Sequence, residues 1–260
     1  MKTIVIIHNL NSRGKNINED YVRELLNKKG IKFHYFQTKQ ISDVDEIIKK
    51  YNNPSEYQYC SIGGDGSLNA LVNSLMKNNI TMPEVSCLPG GSGSDFIRTF
   101  ALPQNIEEAV EHLSYDNFYE VDVGLIKNKT DAKYFINVLN IGFLASTVEV
   151  SEKFPNLFRS FRYPVSFWIK IITARAREMS ISNDKYEFKG TAFNICVCNA
   201  QYFGGGWNIS PKSSLQDGLF NIQVFAVTKL KAMQIFFLAK KGLHLKESSV
   251  KLKRLSQLTV

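Results

Sequence analysis

No apolar run in the chain approaches the roughly 18 to 20 residues that a membrane-spanning helix requires. The longest candidate, "AMQIFFLAKKG", is broken early by lysine and glycine. The amino-terminal "MKTIVIIHNLNS" lacks the longer apolar stretch and small-residue cleavage site of a secretory signal, so it reads as a first strand. Cysteine is scarce: Cys60, Cys87, Cys196 and Cys198 sit mostly in apolar, strand-like runs without metal-ligand spacing. This excludes a zinc module and favours free buried thiols in a reducing cytoplasm. Internal repeats, low-complexity segments, zinc-finger spacing and aromatic RNA-binding motifs are also missing, which leaves no basis for a specific nucleic-acid partner.

What is present is the composition of an ordinary globular protein, 44% hydrophobic and 22% charged. At 260 residues, two compact units are expected. The formal charge of +8, from 32 Lys+Arg against 24 Asp+Glu, favours polyanions (nucleic acid, anionic lipid surfaces or nucleotides), with a solvated basic face the equal alternative for any one basic run.

The first part alternates strand signals ("TIVII", "KFHYF", "YQYCSI", "EVSCL") with helical ones, the pattern of a parallel sheet covered by helices. "NEDYVRELLNKKG" closes at Gly30; "SDVDEIIKKY" is expected to open at Ser42 with Asp45 three residues on. From about Tyr119 the helices drop out. "YEVDVGLIKN", "AKYFINVLNIGF", "YEFKGTAFNICVCNA" and "GLFNIQVFAV" read as antiparallel strands, interrupted by a helical stretch around Tyr163 to Met179. The expected organisation is an α/β nucleotide-binding domain over 1–121 and a mainly antiparallel β-sandwich over 122–260, with the active cleft between them.

Three glycine-rich loops carry the chemistry. "HNLNSRGK" follows the first strand with Asn9, Asn11, Ser12 and Gly14. "SIGGDGSLNA" places Asp65 among Gly63, Gly64 and Gly66 at a strand-to-helix junction, where backbone N–H groups and the helix dipole receive anions. A carboxylate beside phosphates is repulsive unless a divalent cation such as magnesium or its water lies between them; the plainer alternative is a carboxylate that only caps a helix. "LPGGSGSDFIRTF" repeats the arrangement with Gly90, Gly91, Ser92, Gly93, Ser94, Asp95 and Arg98, where Asp95 could equally cap a helix and pair with Arg98. These loops are neither a Walker A loop nor a GxGxxG fingerprint.

"GGDGSLN" followed by "PGGSGSDFIR" resembles the GGDGT-x-N and P-x-G-T-x-N-D-F-A-R motifs of the diacylglycerol kinase catalytic domain family, in particular the bacterial soluble lipid kinases related to diacylglycerol and sphingosine kinases. "HNLNSRGK", "FINVLNIGFLASTV" and "NAQYFGGGWNISPKSSLQDGLFNI" resemble further motifs of that family. The resemblance implies ATP in the cleft, contacted by Asn9 and the loop to Lys15, Thr38, Gly63, Gly64, Asp65, Gly66, Ser67, Asn69 and Ser92. It gives Asp65 a catalytic role on the phosphates through magnesium and bound water. It gives a second magnesium ion the Asp217 carboxylate and the backbone oxygens of Ser214 and Leu219. It also implies a lipid substrate met at an anionic membrane, a cytoplasmic protein peripheral to the inner membrane face, and a homodimer as one assembly of the family.

The chain departs from the family pattern at Leu10, Ala70, Ser92, Ser94 and Leu144. The family's later Asp-Gly-Glu segment, whose glutamate takes the proton from the lipid hydroxyl, has no counterpart before "VKLKRLSQLTV" ends; the expectation is a shortened sequence or a protein without that base, with Glu247 the nearest carboxylate in sequence. The leading reading is an ATP- and magnesium-dependent lipid kinase acting on a diacylglycerol-like hydroxyl. The alternatives are a nucleotide- or lipid-binding regulator and a small-molecule kinase related to the NAD kinases. The basic, aromatic "FPNLFRSFRYPVSFWIKII" is read either as the border of a lipid cleft or as a packed helix.

Overall fold

The computed structural model describes residues 2–12, 14, 17–91, 93–115, 117–146, 166, 171 and 173–260. Contacts divide the chain into two units, Met1–Asn137 with Tyr202–Gly206, and Val138–Gln201 with Trp207–Val260.

In the first unit, β1 (Thr3–Asn9), β2 (Phe33–Thr38), β3 (Tyr57–Gly63) and β4 (Val85–Pro89) form a parallel sheet of order β2-β1-β3-β4. The run "TIVII" is apolar throughout because β1 is covered on both faces. Ile4 and Ile6 pack with Val22 and Leu26 of α1 (Glu19–Lys28) and with Ala109 and Val110 of α5 (Ile106–His112). Val5 and Ile7 pack with Val44 and Ile48 of α2 (Ile41–Lys50) and with Leu71 and Leu75 of α3 (Asp65–Lys77). Gly30 ends α1 as expected, at φ +67°. Helix α2 opens earlier than Ser42: Gln40 is the cap, and the Asp43 carboxylate accepts from the amides of Lys39 (2.8 Å) and Gln40 (3.1 Å). Asp43 therefore sits in the third helical position that the sequence reading gave to Asp45.

The hairpin β5 (Gly124–Lys127) and β6 (Ala132–Phe135) groups with the first unit. Asn73 of α3 holds it there, donating to the Tyr134 carbonyl and accepting from the Tyr134 amide, both at 2.9 Å. "AKYFINVLNIGF" is thus two strands, β6 and β7 (Val138–Gly142), divided between the units.

The second unit is a β-sandwich built on the antiparallel sheet β14-β13-β10-β7, where β10 is Asn194–Cys198, β13 Phe220–Phe225 and β14 Val250–Leu255. The hairpin β8 (Arg177–Asn183) and β9 (Tyr186–Ala192) adds a second layer. The helical stretch expected to reach Met179 stops sooner, because Arg177 to Met179 pair with Ala192 to Gly190 as strand. The rest of that stretch, and most of "FPNLFRSFRYPVSFWIKII", lies outside the described residues. Two short strands, β11 (Tyr202–Phe203) and β12 (Trp207–Asn208), flank Gly204–Gly206, and α6 (Lys229–Ala239) precedes β14. All four cysteines are free, and no helix among the described residues is long and apolar enough to cross a membrane.

A buried polar chain runs under the β13 face of the second unit. Gln223 donates from Nε2 to the Ile209 carbonyl at 2.8 Å, which turns its Oε1 toward His244 Nε2 at 2.9 Å. His244 Nε2 therefore carries the proton of a neutral imidazole. Burial lowers the His244 pKa to about 4 from the ordinary 6.5. Because the unfolded chain takes up this proton first, the stabilisation is complete above pH 6.5 and is lost as pH falls toward 4. His8, also lowered by burial, acts in the same direction. Denaturant titrations should show stability dropping by about 2–3 kcal/mol across this window, with a flatter profile in His244→Gln; superimposable profiles would remove His244 as the cause.

Candidate functional site

The carboxyl ends of the strands bring the expected residues into one row. Asn9 pairs with Thr38 across β1 and β2, and Gly63 with Pro89 across β3 and β4. Strand order reverses between β1 and its two neighbours, β2 on one side and β3 on the other, the place where open α/β sheets bind ligands.

The loops leaving these strands pack backbone against backbone. A Cβ on Gly91 would lie 2.2 Å from Gly64 Cα, and one on Gly14 would lie 2.1 Å from the Gly90 carbonyl oxygen. Glycine is required at both positions by close approach between loops. Side chains then stitch the loops together. Asn9 donates from Nδ2 to Ser67 Oγ at 2.8 Å while its Oδ1 accepts the Asn11 amide at 2.9 Å. Ser12 Oγ donates to the Gly90 carbonyl at 2.8 Å, and the buried Thr38 hydroxyl donates to the His8 carbonyl at 3.3 Å.

Asp65 does more than the sequence alternatives proposed. It begins α3, yet its carboxylate crosses to α4 (Asp95–Thr99), where Oδ2 accepts the Asp95 amide at 3.0 Å and Oδ1 the Phe96 amide at 2.8 Å. Asp95 repeats the move one step further. Its own carboxylate, 4% exposed, accepts the amides of Gly205 at 2.8 Å and Gly206 at 2.6 Å. Burial raises the Asp95 pKa, against the lowering effect of the Gly205 bond, and the neighbouring Asp65 raises it further. Arg98 stands 3.8 Å from Asp95 and donates to the Gly93 carbonyl at 3.1 Å. Two carboxylates thus join three glycine segments in series.

Ser94 caps α4 in the left-handed region, at φ 50°. The asparagine that the family pattern has there tolerates this conformation better than serine. Among the described residues, a Cβ on Gly66 would meet nothing within 4 Å, and the buried Asn69 Oδ1 has no hydrogen-bond partner. Ser92 and Lys15 lie outside the described residues.

Of the residues assigned to a second magnesium ion, all belong to the second unit. Asp217 Oδ1 accepts the Leu219 amide at 3.0 Å and Oδ2 pairs with the Arg254 guanidinium; Ser214 Oγ accepts the Gln216 amide at 3.3 Å. Among the described residues no group of three or more His, Cys, Asp or Glu is arranged to hold a metal. Glu247 pairs with Lys231 at 2.5 Å. Sequence reasoning assigned no role to the Gly204–Gly206 amides or to Arg254. The three consecutive glycines were the available signal for the first; nothing local announced the second, which depends on strand register.

Comparison with known proteins agrees with this geometry. Residues 3–126 match the diacylglycerol kinase catalytic domain, and residues 137–260 match the YegS C-terminal NAD kinase beta sandwich-like domain. The chain is 25% identical over 222 residues to "Probable lipid kinase YegS" of Salmonella arizonae, covering 84% of this chain and 73% of that protein. It is 26% identical over 221 residues to "Probable lipid kinase YegS-like" of Klebsiella pneumoniae, again covering 84% and 73%. A crystal structure of a diacylglycerol kinase from Bacillus anthracis superposes with a TM-score of 0.74 at 22% identity, covering 99% of this chain and 85% of that one, which shows the shared fold. The chain belongs to the family in which a diacylglycerol kinase catalytic domain is followed by a YegS-type β-sandwich domain.

Proposed function

We propose that the protein is an ATP- and magnesium-dependent lipid kinase that transfers the γ-phosphoryl group to a diacylglycerol-like hydroxyl. The observation that carries this reading is the cradle of glycine loops at the carboxyl ends of β1, β3 and β4, with the amino terminus of α3 opening into it beside the unfilled space at Gly66. The cradle fits a polyphosphate because it offers backbone amides, which are donors, at close range at the amino terminus of α3; the Asn69 Oδ1, an acceptor, suits a donor such as a nucleotide amine or hydroxyl instead. Asp65 fits a magnesium-facing role as well. A carboxylate has about four lone-pair positions, so two amide bonds leave others free. Magnesium, when bound with the nucleotide, would neutralise charge on the phosphates.

The protein residues position and hold. Asn9, Ser12 and Ser67 fix the loops relative to one another, and Asp65 and Asp95 fix α4 and the glycine hairpin. Positioning of this kind supplies most of the catalysis in phosphoryl transfer, whereas acid–base assistance is worth about 10²–10⁴ in rate. The surplus of cations supports a substrate met at an anionic membrane surface from the cytoplasmic side.

The test is incubation of the protein with γ-labelled ATP, magnesium and a total lipid extract, and then with diacylglycerol alone. Label is expected in a phosphatidic-acid-like product. ATP binding without labelled lipid would overturn the kinase reading and leave a nucleotide-binding regulator.

A further inference from the structure

We propose that Arg254 is the built-in cation of the loop between β12 and β13, occupying the charge position that the family resemblance gives to a second magnesium ion. Asn221 of β13 lies directly opposite Arg254 of β14, so the two side chains leave the sheet on the same face. They hold the two ends of one loop. Asn221 Nδ2 donates to Ser213 Oγ at 3.1 Å, and Ser213 Oγ also meets Ser210 Oγ at 2.9 Å. Arg254 takes Asp217 Oδ2, and the other oxygen of that carboxylate accepts the Leu219 amide across Gly218, which turns at φ +65°.

This arrangement does not fit a divalent ion. Magnesium requires near-octahedral oxygen ligands at about 2.0–2.1 Å and binds through a carboxylate whose charge is available. Here that charge is met by a guanidinium, which cannot lose its proton and would repel a dication at the same oxygen. The inference concerns this loop alone and is independent of magnesium that accompanies a nucleotide in the first unit.

The test is thermal unfolding of the full chain without nucleotide, in EDTA and in millimolar magnesium. The native protein is expected to melt at the same temperature in both. Arg254→Ala is expected to melt about 2–4 °C lower and to recover part of that loss in magnesium, because the Asp217 carboxylate is then free. The recovery should vanish in the Arg254→Ala, Asp217→Ala double variant. Arg254→Lys, which keeps the charge and places less demand on folding, should stay indifferent to magnesium. The proposal fails if magnesium stabilises the native protein and Asp217→Ala abolishes that effect. It fails equally if Arg254→Ala melts with the native protein and ignores magnesium.

Discussion

Asp65→Asn is expected to leave the parallel sheet folded while reducing lipid phosphorylation by about 10²–10³-fold, the scale of losing one preorganised electrostatic contact at a reacting group. Asparagine keeps one oxygen and turns an NH2 group toward an amide that is itself a donor. Of the two bonds to the Asp95 and Phe96 amides, at 3.0 and 2.8 Å, one is lost and replaced by opposed donors. Hydrogen bonds to a charged group contribute about 1.5–3 kcal/mol each, so the first turn of α4 should loosen. The far-ultraviolet circular dichroism should be unchanged, because the cores on both faces of the sheet do not involve this side chain. Undiminished turnover in a properly folded variant would remove Asp65 from the mechanism.

Gly91→Ala is expected to act on stability and nucleotide binding together. The new methyl would sit 2.2 Å from Gly64 Cα and 2.8 Å from Gly64 N, both backbone atoms, so no side chain can swing aside. Overpacking of this kind costs about 1–3 kcal/mol where side chains can adjust, and the upper end applies here. The two loops must part, and the junction that opens α3 moves with them. Melting should fall by about 6–12 °C at 2–4 °C per kcal/mol, and ATP should no longer raise it. Gly66→Ala, whose Cβ would meet nothing within 4 Å and which starts from ordinary helical geometry, is the control for stability alone: without ATP it should melt with the native protein, although its methyl enters the space given to the phosphates. If Gly91→Ala keeps the native melting temperature and its response to ATP, close packing between the loops is not what glycine serves there.

The α/β half of the protein was readable because its signals are local. The "IVII" of β1 is apolar on both faces only where helices cover both faces, and glycine at the ends of strands β3 and β4 marks where the backbone must come close. The loop residues Asn9, Ser12, Gly63, Gly64, Asp65 and Ser67 were legible for the same reason, although their partners were not. Asp65 looked like a cap or a metal ligand, and its actual partners are amides thirty residues on. The β half was legible as strands and less so in its breaks. A single apolar run covers β6 and β7, and no residue type in it says that the hairpin attaches to α3 through Asn73. The start of α2 was misplaced because glutamine is a weaker capping signal than the serine two positions later. Arg254 was invisible in sequence for a different reason: its meeting with Asp217 follows from register between β13 and β14, which is fixed only once the sheet exists.

The clamp between Asp95 and the glycine hairpin has a consequence for how the protein is made. The two ends of that bond are 110 residues apart in the chain. At about 5–20 residues per second, a ribosome that has just delivered Asp95 takes about 6–20 s to deliver its amide partners. During that interval a carboxylate destined for burial has only water for company, although every strand of the parallel sheet has been synthesised. The first unit therefore closes late, after much of the second has emerged, and a fragment cut at the apparent border near Asn137 would reproduce that waiting state permanently.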